Sequence, residues 1–308
     1  MSLDNTIFDD VFKTIIERMP KLVIPLVNEI FKKSYLYDEK VTNISTEHHT
    51  EDKKIISDSV LEIKKCFYHI ECQSSPDSTM SIRMIEYDFG IALDYAVNVD
   101  GEYEMKFPKS AVIYLRHNKR TPDNLSVKVI FPDDSIHYYQ IPIVKLQEYN
   151  SDEIFEKDLL MTLPFFIIKY EKDVKKIATN SEKKKAFLDE YNSIMERLKK
   201  ADILAGSDTL YKDLISLMKR VADYVLKGYK NLQDEVDNVM GGKVLELPSD
   251  KLREQFAEGK KEGKEEGKVE GILETEIETF KRCIKEGMTK EMALKISGLP
   301  EDKIPTEE

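Results

Sequence analysis

Apolar side chains recur with a helical period in two parts of the first half of the chain. Over residues 4–19 they return every three or four positions, which predicts an amphipathic helix capped by Asp4 and ended by Pro20. Residues 22–31 form a second apolar segment, helical or irregular because it contains Pro25. Residues 81–97 predict another helix, with one apolar stripe made of Ile82, Ile85, Phe89, Leu93 and Ala96.

Runs rich in β-branched and aromatic residues predict strands around these helices. They cover residues 40–46, 54–63, 66–73, 110–116, 125–131 and 136–143. The segment Pro132-Asp-Asp-Ser135 is a good hairpin loop between the last two strands. This order of elements predicts the α/β class, with residues 1–150 forming a small mixed central sheet flanked by helices.

The second half of the chain is predicted to be helical. Helical spacing covers residues 154–170, 182–203 and 209–229, which we assign to an extension, residues 151–245, packed on the α/β core. In residues 246–272, glycines recur every four positions, at Gly259, Gly263, Gly267 and Gly271. Because an interior glycine costs a helix about 1 kcal/mol, this stretch is either a flexible charged linker or a glycine-striped helix in a homodimer.

The tail, residues 273–308, is predicted to be a small two-helix unit. Residues 275–286 and 290–297 are separated by Gly287, and Gly298-Leu-Pro follows the second helix. The pair resembles the start of a helix-turn-helix, although such pairs are frequent and weakly specific.

Composition restricts the class of protein. Of the 308 residues, 41% are hydrophobic and 34% are charged, and the net charge is −11. No apolar run approaches the roughly 20 residues that span a bilayer, and no secretory signal opens the chain, so we expect no membrane association. Three cysteines without metal-type spacing fit a reducing cytoplasm. The acidic charge argues against a basic DNA-coating protein but not against a local basic groove.

The candidate chemistry lies in residues 58–73, which predict two strands folded back about Lys64-Lys65. In that register Asp58 lies opposite Glu71, and Gln73 shares the face of Glu71 because side chains alternate along a strand. Two carboxylates and an amide oxygen would suit a hard divalent cation. A slip of one residue would separate the carboxylates, and Lys-Lys is not a preferred turn. From spacing alone, a solvated polar face is the favoured interpretation.

Several segments together resemble one known family. They are Phe8-Asp-Asp-Val-Phe-Lys13, Asp58, His69-Ile-Glu71-Cys-Gln73, Met80-Ser-Ile-Arg83-Met-Ile-Glu-Tyr87, Phe155-Glu-Lys-Asp-Leu-Leu-Met-Thr-Leu-Pro164 and the glycine-spaced charged tail. The chain resembles the PD-(D/E)XK nuclease superfamily, and within it the recombination-promoting nuclease/transposase family. The resemblance covers most of the chain.

The resemblance implies a restriction-endonuclease-like core and Mg²⁺-dependent hydrolysis of phosphodiester bonds in DNA, with Mn²⁺ as a substitute. It assigns the cation to Asp58 and Glu71, and water positioning to Gln73. The superfamily usually has a lysine where this chain has Gln73, and an amide carries no positive charge. The missing charge would come from a metal or from Lys13 or Arg83.

Other residues are expected to assist. Arg83 and Tyr87 lie four positions apart on one helical face, and we expect them to face the phosphate or to brace Glu71. Asp9 or Asp10 could approach the metal, although acidic residues also stabilise a helix N-terminus. His48 and His49 are assigned no ligand role. His69, predicted to lie opposite Val60, is assigned to core packing or a hydrogen bond within the sheet.

Two other outcomes stay open. Because Gln73 replaces the usual lysine, the chain could be a catalytically inactive nuclease-fold module that binds nucleic acid or protein. The helical C-terminal half could also form a homodimer.

Overall fold

The computed structural model describes residues 6–44, 47–50, 53–56, 59–201, 208–241, 271 and 273–303. Asp4, Asp58 and residues 242–270 therefore lie outside the described residues. Contacts divide the chain into two units, Met1–Leu247 and Pro248–Glu308. Within the described residues, no helix is both long enough and apolar enough to cross a membrane.

The first unit combines helices with a mixed sheet. Its α-helices are α1 Thr6–Arg18, α2 Ile24–Phe31, α3 Met80–Asp94, α4 Ser151–Glu156, α5 Val174–Thr179, α6 Ser181–Leu198, α7 Asp208–Val225 and α8 Lys230–Met240. Its strands are β1 Val41–Ile44, β2 Glu47–Thr50, β3 Lys53–Ile56, β4 Val60–Ile63, β5 Cys66–Gln73, β6 Val97–Val99, β7 Glu102–Glu104, β8 Lys109–Tyr114, β9 Asn124–Ile130 and β10 Ile136–Lys145. Short 3-10 helices cover Pro20–Val23, Leu146–Glu148 and Leu160–Asp173.

Six of the described strands form a mixed sheet in the order β1-β4-β5-β8-β10-β9, and the pairs β2-β3 and β6-β7 form separate two-stranded sheets. Strands β5, β8 and β10 run parallel, whereas β1, β4 and β9 pair antiparallel with their neighbours. The flanked mixed sheet and the helical region after it confirm the predicted α/β class.

The predicted turn at Lys64-Lys65 is present. Both residues have positive φ angles, 49° and 64°, as the two central residues of a type I′ hairpin loop require. The ladder pairs Ile63 with Cys66 and Val60 with His69, which is the predicted register. The carbonyl of Ser59 also accepts a hydrogen bond from the amide of Ile70 at 3.0 Å. The pairing of Asp58 with Glu71 lies just outside the described residues and stays a prediction.

The two faces of the sheet pack against different partners. On one face Tyr68, Ile70 and Cys72 of β5 join a large core shared with α1, α2, α6 and α7. On the other face α3 contributes Met80 and Met84 to a small cluster with Val112, Tyr114 and Ile141. Strand β5 therefore has an apolar face toward the large core and a second face under α3.

The apolar stripe predicted for the third helix is not the buried face of α3. Ile82, Phe89 and Leu93 are 59%, 45% and 49% exposed. The buried positions of α3 are instead Met80, Met84, Asp88, Ile91 and Ala92. One buried position is an aspartate, so the buried face of α3 is not uniformly apolar.

The structure also differs from the predicted helices in the second half. Residues 154–170 do not form one α-helix: α4 ends at Glu156, Asp158 has a φ of 54°, and a 3-10 helix containing Pro164 follows. Proline inside a helix removes a backbone hydrogen bond and clashes with the preceding turn.

The hairpin of β6 and β7 around Asp100-Gly101 was not predicted, although Asp-Gly is a strong hairpin signal.

The second unit is small and helical where it is described. Residues 273–285 are helical, and the next helix, Lys290–Ser297, begins after Thr289, whose side chain accepts from the amide of Met292. Gly298 follows with a φ of 75°, which ends that helix. Phe280, Cys283, Ala293 and Leu299 form its core. These bounds are close to the two predicted helices.

Candidate active site

Three polar side chains line the α3 face of strand β5. His69, Glu71 and Gln73 alternate with Tyr68, Ile70 and Cys72, which pack into the large core. Because side chains alternate along a strand, the three polar residues share one face. Strand β5 lies between β4 and β8, so Glu71 stands in the middle of the sheet, near the end of a parallel strand.

Glu71 is a buried carboxylate, 1% exposed. Its Oε1 accepts from Nε2 of His69 at 3.0 Å, and its Oε2 accepts from Nε2 of Gln73 at 3.2 Å. Both oxygens of Glu71 therefore accept hydrogen bonds, and these hold the carboxylate in place.

His69 lies between two carboxylates and is fully buried. Its Nδ1 is 2.6 Å from Oδ1 of Asp88, and its Nε2 contacts Glu71. Burial alone would lower the pKa of His69, but the hydrogen bonds to Asp88 and then to Glu71 raise it to about 9. At neutral pH His69 is thus an imidazolium that donates from both nitrogens.

Asp88 connects this group to two further elements. It is 0% exposed and lies on α3, and its Oδ2 accepts a hydrogen bond from the hydroxyl of Tyr139 on β10. Burial, together with the charge of Asp88, raises the pKa of Tyr139 above its usual value. Tyr139 therefore keeps its proton and donates a hydrogen bond to Asp88.

Arg83 and Tyr87 lie on one face of α3, as predicted. Nε of Arg83 donates to the Tyr87 hydroxyl at 3.3 Å, and a terminal guanidinium nitrogen contacts Asp77 at 3.4 Å. The Tyr87 ring packs edge-on against His69, with ring centroids 5.9 Å apart. Tyr87 thus braces His69, while Arg83 is half-buried within electrostatic reach of Glu71.

Helix α1 brings Asp9 to the same site. Burial is the main reason that the pKa of Asp9 rises from 3.8 to about 6. Asp10 and Glu71 raise this pKa further, whereas the cations Lys13 and Arg83 oppose the rise. Burial therefore disfavours the charged form of Asp9 more than the nearby N-terminus of α1 favours it. Asp10 has a buried Oδ2 without a hydrogen-bond partner.

The donor set fits a divalent cation in part. Asp9 and Glu71 are carboxylates close enough to perturb each other, and oxygen donors suit Mg²⁺. Among the described residues, no three His, Cys, Asp or Glu side chains could hold one ion together. Asp58, the predicted third carboxylate, is outside those residues, as are the side chains of His48 and His49.

Sequence reasoning missed two residues of the site, because Asp88 and Tyr139 were not singled out. His69 was assigned to core packing or a hydrogen bond within the sheet. It is buried, bonds Glu71 on its own strand, and also bonds Asp88 on α3, which was not expected. A signal existed for His69, because it is two positions before Glu71 and must share its face. Asp88 is eight positions after Met80 and four after Met84, on the buried line of α3.

Comparisons of this chain with protein-family models, with curated proteins and with solved structures found no match.

Proposed function

We propose that this chain is a Mg²⁺-dependent DNA endonuclease with a PD-(D/E)XK-like core, associated with recombination or mobile elements. The observation that carries the proposal is the buried Glu71 at the end of a central strand, with Asp9, Gln73 and Arg83 around it. DNA is the proposed substrate, and the cytoplasm, which the cysteine usage indicates, is the proposed compartment.

The hairpin register supports this assignment. Lys64-Lys65 forms the turn, and Val60 pairs with His69. Continued by two residues, this register puts Asp58 opposite Glu71, which is the family's arrangement of an Asp on one strand and Glu-x-Gln on the next. We propose that Asp58 and Glu71 hold the cation and that Asp9 assists. Mn²⁺ should substitute, because it takes the same oxygen ligands.

The unfavourable charges at the site also support a cation. A half-buried Asp9 with its pKa raised to about 6 lies near the buried Glu71. A bound cation would offset the mutual repulsion of these carboxylates. When bound, Mg²⁺ polarises a scissile phosphate and lowers the pKa of a coordinated water.

The protein's own groups would position the DNA and the attacking water. Arg83 presents a guanidinium suited to a phosphate, since its planar donors match phosphate oxygens. Gln73 can orient water through its amide, which has both donors and an acceptor. Lys13 lies close enough to Asp9 to lower its pKa and adds a second cation. Together, Lys13 and Arg83 are the proposed source of the charge that Gln73 lacks.

Nicking of supercoiled plasmid tests the proposal. The parent protein should nick with Mg²⁺ and not with EDTA, and Glu71→Gln and Asp58→Asn should fall to the EDTA background. The matched control is Glu62→Gln, because Glu62 lies on the same hairpin but opposite Phe67, next to the turn. If the Glu71 and Asp58 variants nick like the parent, the assignment is wrong.

A specific observation favours one second candidate, an inactive nuclease-fold module that binds nucleic acid or protein. Gln73 donates to Oε2 of Glu71, so an amide occupies the place where the superfamily usually has a catalytic lysine. Calorimetry separates the two candidates. No Mg²⁺ or Mn²⁺ binding at millimolar metal supports the inactive module, whereas binding that Glu71→Gln abolishes supports the enzyme.

A further inference from the structure

We propose that Tyr139, Asp88 and His69 form a hydrogen-bonded chain, the Glu71 support chain, that fixes the carboxylate of Glu71 in the orientation a cation needs. The three residues are positioning residues that act through Glu71. This inference rests on the proposed function, because it assumes that Glu71 binds a metal.

The links of the Glu71 support chain are continuous. The Tyr139 hydroxyl donates to Oδ2 of Asp88, Oδ1 of Asp88 is 2.6 Å from His69, and His69 reaches Oε1 of Glu71 at 3.0 Å. Tyr139, Asp88 and His69 lie on three different elements, β10, α3 and β5 respectively. Asp88 receives hydrogen bonds from two elements, β5 and β10, and Glu71 receives two from its own strand, so rotation of either carboxylate would break two contacts.

Burial makes the Glu71 support chain rigid. His69 and Asp88 are 0% exposed and Glu71 is 1% exposed, so water cannot easily replace a broken link. Hydrogen bonds in a low-dielectric interior are strong when every member is satisfied, and unpaired members are costly. The edge of the Tyr87 ring lies against His69, 5.9 Å between centroids, and closes one side of the chain.

The Glu71 support chain is not needed to attach α3 to the sheet. An apolar cluster of Met80, Met84, Val112, Tyr114 and Ile141 already does so beside it. Replacing buried ion pairs by apolar residues of similar volume is often neutral or stabilising. Apolar side chains would therefore fill the space between α3 and the sheet at a lower cost in free energy than a buried histidine between two carboxylates. Because His69 contacts Oε1 of Glu71, we infer that its role is to orient this oxygen.

The order of the links has a consequence for variants. Residues that hydrogen-bond a metal ligand typically affect metal affinity by about 10- to 100-fold when changed. His69 touches Glu71 directly and should have the largest effect. Tyr139 is two links away, so the loss of its hydroxyl should weaken affinity in the same direction but less.

Isothermal calorimetry with Mn²⁺ as the probe tests the Glu71 support chain. The full-length variants are His69→Gln and Tyr139→Phe, titrated at a temperature where circular dichroism shows each of them folded. We expect the dissociation constant to rise about 10- to 100-fold for His69→Gln and by a smaller factor for Tyr139→Phe.

The matched control is Tyr170→Phe. Tyr170 is also half-buried and also donates its hydroxyl to a carboxylate, Glu190, but among the helices that follow the sheet. Removal of its hydroxyl should leave Mn²⁺ affinity unchanged. A role limited to stability would lower the unfolding midpoint of Tyr139→Phe and Tyr170→Phe while leaving Mn²⁺ affinity alone in both.

The outcomes separate this inference from the proposed function. If the parent binds Mn²⁺ and Glu71→Gln abolishes binding, but His69→Gln and Tyr139→Phe bind like the parent, the support chain is wrong and the metal site stands. If the parent does not bind Mn²⁺, both proposals fall. If His69→Gln does not fold, Tyr139→Phe decides, and parent-like affinity in that variant overturns the support chain.

Discussion

Asp9 carries a charge that the metal-free protein disfavours. It lies in the first turn of α1, where the helix dipole favours an anion, yet burial raises its pKa to about 6. Groups at functional sites are often perturbed in this way, because their environment serves binding or chemistry more than stability.

We expect Asp9→Asn to stabilise the metal-free protein at pH 8. The pKa of Asp9 is raised on folding, from 3.8 to about 6, so its ionisation above pH 4 reduces the free energy of unfolding. Removing the charge should recover about 1 to 2 kcal/mol, allowing for solvent screening. Urea unfolding in EDTA should show this gain at pH 8 and its disappearance toward pH 4.

The control for this substitution is Glu17→Gln, which removes a carboxylate from an exposed position of the same helix. It should change the free energy of unfolding little at either pH. A metal-free Asp9→Asn protein that is less stable than the parent at pH 8 would contradict the interpretation of Asp9.

At this scale the strand period predicted that Glu71 and Gln73 share a face, and the helix period predicted the same for Arg83 and Tyr87. The family resemblance, not the spacing, placed the two pairs at one site. The sequence did not predict Asp88 or Tyr139, because Asp88 lies 19 residues from its partner His69 in the sequence and Tyr139 lies 51 residues from its partner Asp88. Such pairings depend on how α3 and β10 pack on β5, which one-dimensional spacing does not contain.

The hairpin of β4 and β5 sets the register of the candidate site. Its two turn residues, Lys64 and Lys65, both occupy the left-handed region, where a non-glycine residue costs roughly 1–2 kcal/mol. Lys64 is also held by an ion pair with Glu39 and lies over the Tyr35 ring. Contacts of this kind, together with the buried pairs of the ladder, stabilise an otherwise unfavourable turn.

We expect Lys65→Gly to raise the free energy of unfolding by about 1 kcal/mol, because glycine adopts a positive φ without strain. Urea unfolding measures the change. Lys119→Gly is the control: Lys119 is an exposed loop residue outside the set with positive φ, so glycine there should be neutral or destabilising. A loss of stability in Lys65→Gly would argue against the type I′ turn and its register.

Helix α3 shows why its buried face was misassigned. The larger apolar side chains, Ile82, Phe89 and Leu93, have helical spacing but face solvent. The buried line runs through Met80, Met84 and Asp88, and its aspartate interrupts the apolar pattern. The charge of His69 stabilises Asp88 there, and periodicity alone cannot detect a tertiary partner.

At the scale of the whole molecule, the order of helices and strands predicted the α/β class correctly. The position of β10 between β8 and β9 was not predicted, because strand order depends on long-range pairing. The helical second half supplies much of the large core through α6 and α7, so it is part of the first unit rather than an appendage.

The homodimer remains a proposal for the C-terminal half. If residues beyond Gly242 drive self-association, truncation after Gly242 should lower the mass measured by light scattering from that of a dimer to that of a monomer. Circular dichroism is the control that the shortened chain keeps its fold. An unchanged mass after truncation would remove residues 243–308 from the interface.

The central claim is that Glu71 binds a divalent cation beside the β4–β5 hairpin. A crystal soaked in Mn²⁺, measured for anomalous scattering, tests it most directly. The account predicts a peak about 2.1 Å from a carboxylate oxygen of Glu71, with Asp58 or Asp9 as a further ligand, and no such peak in Glu71→Gln. A Mn²⁺ peak elsewhere, with none at Glu71, would contradict the account.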